Sequence, residues 1–108
     1  MKTVQAKFFE VLEARAKKDG FEVVVDYSAS NVGTLHLQQE SRFKTAVSVP
    51  FNFQSGAVCA HFGGRAGSSR QIVQDLFPGR PNPSFAGFGA DELDEAVDAI
   101  VAAGRRGR

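Results

Sequence analysis

Residues 43–53 alternate in character. Phe43, Val47, Val49, Phe51 and Phe53 are apolar, Lys44, Ser48, Pro50 and Asn52 stand between them, and only Thr45 and Ala46 break the period of two. Successive side chains on a strand point to opposite faces, so this segment buries one face and wets the other. It calls for a sheet covered on one side, and the covering layer has to come from helices with apolar stripes.

Two such stripes are present. Val4, Phe8, Val11, Leu12 and Ala16 recur at helical spacing over 3–18, with Lys7, Glu10, Arg15, Lys17 and Lys18 largely away from them, and Asp19-Gly20 supplies a stop. Near the other end, Leu93, Val97, Ile100 and Val101 form the second stripe, in a helix expected to open at Asp91 and close at Gly104. Between these helices the alternation of Phe21 to Tyr27, of Thr34 to Gln39 and of Ala57 to Phe62 gives three further strands. Short turns at 28–31, 40–42 and 54–56 favour an antiparallel meander. Pro50 cannot donate to a ladder and marks an edge or a bulge.

A further helix is expected from Ser68 or Ser69 through Leu76, ending at Phe77-Pro78. The Pro- and Gly-rich stretch 78–89 reads as an ordered lid packed on the body through Phe85 and Phe88. The order α-β-β-β-β-α-α gives an α+β two-layer domain: a four-stranded antiparallel sheet with helices packed on one face. One domain over 1–104 and a flexible basic tail over 105–108 are the expected organisation, as a monomer or homodimer.

The chain's 108 residues, 43% hydrophobic and 23% charged, suit a single core, and ten Phe against one Tyr and no Trp supply its filling. A lone cysteine, Cys59, excludes an intramolecular disulfide framework, and with no signal-like segment the expected setting is the cytoplasm. No apolar run reaches the length of a membrane span. The net charge of +1 is unevenly laid out: residues 90–103 hold five acids and no base, and three arginines follow them.

Chemistry is harder to find. Cys59 and His61, two apart on one expected strand, and His36 on a neighbouring one, would suit a Cys/His nucleophile pair or a three-ligand zinc site, but Cys-x-His is not a zinc spacing and a cysteine is commonly a small buried hydrophobe. The loop carrying Gly64, Arg65, Ser68, Ser69 and Arg70 joins a strand to a helix and could hold an anion on its backbone N–H groups, although it matches neither a Walker loop nor Gly-x-Gly-x-x-Gly. An ordinary serine cap explains the same residues. Asp91, Glu92, Asp94, Glu95 and Asp98 form either a solvated helix face or an electronegative patch for a basic partner. Lys44, Ser48 and Asn52 on the wet face of the long strand, with Phe85 and Phe88, complete the candidate contacts.

No motif ties the chain to a family, and no catalytic set, cofactor or metal is indicated. The expectation is a small non-enzymatic protein-binding module, an inhibitor or adaptor of phage or plasmid type acting on a larger nucleic-acid-processing complex. Direct nucleic-acid binding through Arg65, Arg70, Arg80 and the arginine tail is the first alternative, and a small Cys/His-dependent enzyme the second.

Overall fold

A computed structural model describes residues 3–39, 44–63, 76–77 and 85–107. Helix α1 (Val4–Lys18) begins at Thr3, whose hydroxyl oxygen accepts from the Ala6 N–H at 3.1 Å and so satisfies one of the donors left open at a helix start. Arg15, Lys17 and Lys18 occupy its last turn, where positive charge meets the negative end of the helix dipole. Gly20 follows with φ +79°, a left-handed conformation that glycine adopts without a Cβ penalty.

Five strands build one antiparallel sheet in sequential order: β1 (Phe21–Ala29), β2 (Val32–Gln39), β3 (Lys44–Phe53), β4 (Ala60–Gly63) and β5 (Phe85–Phe88). The antiparallel α+β architecture is the expected one, with one strand more. Phe85–Phe88, read as part of a lid, instead pairs with β4, placing Ala60 against Phe88 and Phe62 against Ala86. The first hairpin is also tighter than expected, since Ala29 pairs with Val32 and only Ser30 and Asn31 turn the chain.

The break in alternation at Thr45 and Ala46 has a structural cause. Leu37 pairs with Val47 and Gln38 with Thr45, so Ala46 is an extra residue in β3, a bulge that turns Thr45 to the outer row of Glu22 and Gln38. It also sets Lys44, expected on the wet face, at the register position opposite Gln39, in the row of the core residue Phe21. Downstream of it Val49, Phe51 and Phe53 all face the core, at 0, 2 and 5% exposure. Val47 packs against that core partly buried. Phe43 lies outside the described residues.

After β5, one 3-10 turn (Ala90–Glu92) leads into helix α2 (Leu93–Gly107). The Glu92 carboxylate accepts from the Gly89 N–H at 3.0 Å and anchors that turn. Helix α2 does not stop at Gly104; it runs on to Gly107, so Arg105 and Arg106 belong to its last turn and not to a separate tail. A Cβ at Gly104 would come within 3.0 Å of Leu37 Cδ1 and 3.3 Å of the Phe21 ring, and one at Gly107 would run into the Ala46 carbonyl oxygen. Glycine costs a helix interior about 0.8–1 kcal/mol. Here its small size lets the helix lie close on the sheet.

Both helices lie on the same face of the sheet. Phe8, Leu12 and Ala16 of α1 and Ala96, Val97, Ile100 and Val101 of α2 are buried against Leu35, Leu37, Val49 and Phe51. Seven phenylalanines connect through ring contacts: Phe8 meets Phe62 at 5.2 Å between centroids, Phe62 meets Phe88 at 5.7 Å and Phe88 meets Phe77 at 5.0 Å, while Phe9, Phe51 and Phe53 extend the set towards β3. Such offset and edge-on pairs add to the area they bury. The helix expected over 68–76 falls outside the described residues apart from Leu76, which is buried beside Phe77.

Candidate functional site on the outer sheet face

The register that sends Val23, Leu37 and Val47, and then Val25, Leu35 and Val49, towards the helices sends their neighbours the other way. Val24, His36 and Ser48 form one cross-strand row on this outer face, with Asp26, Thr34 and Pro50 in the next. A diagonal joins the two rows. The His36 ring nitrogen Nδ1 lies 2.7 Å from the Ser48 hydroxyl oxygen, and Nε2 lies 3.0 Å from Asp26 Oδ2.

Carboxylate chemistry assigns the protons in this chain. An ionised Asp26 only accepts, so Nε2 carries a hydrogen and donates it, and in a neutral imidazole Nδ1 is then the acceptor that the Ser48 O–H faces. The Asp26 side chain is 79% exposed and that of His36 21%, so the ring is sheltered while its acidic partner stands in water. An exposed ion pair of this kind contributes little stability, and its main effect is to fix the tautomer and the tilt of the ring.

The alternation puts His36 and Ser48 on the wet side and suggests Cys59 and His61 as companions for His36, while nothing in it singles out Asp26. Alternation reports which face a residue occupies, and the lengths of two hairpins are needed to say which residues meet. The structure does not bring His36 to Cys59 and His61. Cys59 precedes β4, is 4% exposed, donates its backbone N–H to the Phe88 carbonyl at 3.1 Å and has Sγ 3.7 Å from the same oxygen. His61 pairs with Asn52, four positions along β3 from the Ser48 that pairs with His36. Among the described residues no group of three His, Cys, Asp or Glu is placed to hold a metal ion.

Other expected contacts are redistributed. Phe88 is fully buried in the aromatic core, so it offers nothing to a partner. Asn52 is half-buried on the outer face beside His61. The side chains of Lys44 and Phe85 and the whole of Gly64, Arg65, Ser68, Ser69, Arg70 and Arg80 lie outside the described residues. The acids of α2 are partly engaged within the fold: Arg15 reaches across from α1 to Asp94 at 3.1 Å and Asp98 at 2.9 Å, and Glu92 holds the Gly89 N–H. Asp91 and Glu95 are exposed. All five sit in the helix layer, with the sheet between them and the outer face, so the acidic helix and the wet strand do not form one continuous surface.

Cavities lined by described residues lie away from this face. One, about 270 Å³, runs between the helices over Val4, Phe8, Val11, Leu93 and Val97, with Lys7 on one side and Asp91 and Asp94 on the other. Another, about 350 Å³, lies at the start of α1 beside Asn31 and Phe53. No helix among the described residues is long and apolar enough to cross a membrane. No family model matches the chain, no curated protein resembles it in sequence, and no solved structure matches it.

Proposed function

We propose that the chain is a small non-enzymatic binding module that meets a protein partner with the outer face of its sheet. One observation carries this reading: both helices cover one face, and the face of β1, β2 and β3 opposite them presents Glu22, Asp26, Thr34, His36, Gln38, Thr45, Ser48 and Asn52, exposed or half-buried, with no described helix over them. The polar groups are held in register by the ladder beneath them, so little ordering entropy is lost when a partner docks.

Charge favours protein over nucleic acid as that partner. Glu22 and Asp26 are the formally charged side chains described on this face, and no Lys or Arg side chain is described there to neutralise phosphates. The matching surface carries Lys or Arg and N–H donors, such as the basic groove of a larger nucleic-acid-processing complex, and occupying it makes the module an inhibitor or adaptor.

The test uses three forms of the full chain as bait: wild type, Glu22→Lys with Asp26→Lys, and Glu95→Gln on the helix layer. The same protein should be captured by wild type and Glu95→Gln, and binding by the sheet variant should fall at least tenfold with its circular dichroism unchanged. Equal capture by all three would remove the outer face as the interface. Retention of nucleic acid, with affinity falling linearly with salt on a log–log plot, would replace the protein partner with a polyanion.

A further inference from the structure

We infer that Ser48 is a nucleophile that accepts an acyl group from an activated ester or thioester at the outer face. The inference goes beyond partner binding and rests on the Asp26–His36–Ser48 chain alone. Three neighbouring strands supply the hydroxyl, the base and the group that orients the base, at 2.7 Å and 3.0 Å, both within hydrogen-bonding reach. A serine hydroxyl is a poor nucleophile by itself. Here its proton has an acceptor in place, Asp26 keeps the imidazole in the tautomer that leaves Nδ1 open, and a carboxylate beside the ring stabilises the imidazolium formed when that nitrogen takes the proton.

The transfer balances without any other reactant. The Ser48 oxygen forms a bond to the carbonyl carbon as its proton passes to His36 Nδ1; the carbon–oxygen or carbon–sulfur bond to the leaving group breaks; and the imidazolium returns its proton to the departing alcohol or thiol. Acyl-Ser48 and a neutral His36 remain. The Asp26 side chain is 79% exposed, so water reaches the end of the chain that orients the base and competes with it for the imidazole. The expected outcome is therefore one acyl group accepted per chain, with slow release, which is compatible with a module that does not turn over substrate.

The folded full-length chain is treated with p-nitrophenyl acetate, with phenolate release and intact mass followed together and the acetylated residue located by peptide mapping. Acetyl should appear on Ser48 at least about 100-fold faster than on the exposed Ser28 or Ser55, which serve as controls within the same molecule. His36→Gln should lower the Ser48 rate by a factor on the order of 10²–10⁴, and Asp26→Asn by less, because water partly replaces a carboxylate so exposed. If His36→Gln fails to fold, the comparison of Ser48 with Ser28 and Ser55 in the wild type decides the matter. Acetylation confined to lysines, equal rates at the three serines, or a Ser48 rate unchanged in folded His36→Gln would each overturn the assignment. Partner capture plays no part in this measurement, so the binding reading stands or falls separately.

Discussion

The two faces of the sheet are made from the same strands and differ in almost everything that matters energetically. On the helix side Leu35, Leu37, Val49, Phe51 and Phe62 are at 0–2% exposure and each touches several other apolar groups. On the outer side Asp26, His36 and Ser48 are joined by two hydrogen bonds, one of them ending on a carboxylate in water. Stability resides on the first face, where atoms removed from water cannot be replaced by solvent. On the second face the exposed ion pair contributes little to the folding free energy.

The sharpest way to break this contrast is on the core side. Phe51→Ala removes a ring that contacts Phe9, Phe53 and Tyr27 and should cost on the order of 3–5 kcal/mol in denaturant unfolding. A loss under about 1 kcal/mol would mean that β3 does not face the helices as described. Cys59→Ser lies between the extremes. It buries a hydroxyl where the thiol stood, with the Phe88 carbonyl in reach as an acceptor, and should cost about 1 kcal/mol while leaving partner capture intact and the purified protein without stoichiometric zinc. Loss of function in a folded Cys59→Ser protein would overturn the binding-module reading in favour of an enzyme centred on the sulfur. Ser48→Ala is the smallest of the three, within about 1 kcal/mol, since it removes one half-buried hydrogen bond. A much larger loss would show that the outer row holds the sheet together.

The same contrast explains what could be read before the structure. Amphipathic spacing in Val4 to Ala16 and Leu93 to Val101, and alternation through β1, β2 and β3, report burial directly, because a residue's polarity follows from the face it occupies. Phe85–Phe88 carries no strand signal in the sequence, since four residues, one of them Gly87, are too few to show a period amid prolines and glycines. Gly104 was misleading for another reason: a glycine that ends helices by conformation is here inside one by size, and only the positions of Phe21 and Leu37 reveal it. The Asp26–His36–Ser48 chain is a matter of register between three strands, and polarity carries no record of that.

Ala46 gives β3 one residue more than its pairing uses. Deleting it would set Thr45 directly beside Val47, opposite Gln38 and Leu37 as they are now, so each cross-strand partner and each face would be kept. Deleting Val49 instead would send one half of the strand to the wrong side. Relatives of this chain are therefore free to differ in length at one position in the middle of a core strand, where an alignment gap would ordinarily be taken for an error. The cost falls on the end of α2, where Gly107 rests against the Ala46 backbone: a shortened strand would leave that last turn, with Arg105 and Arg106, without its support.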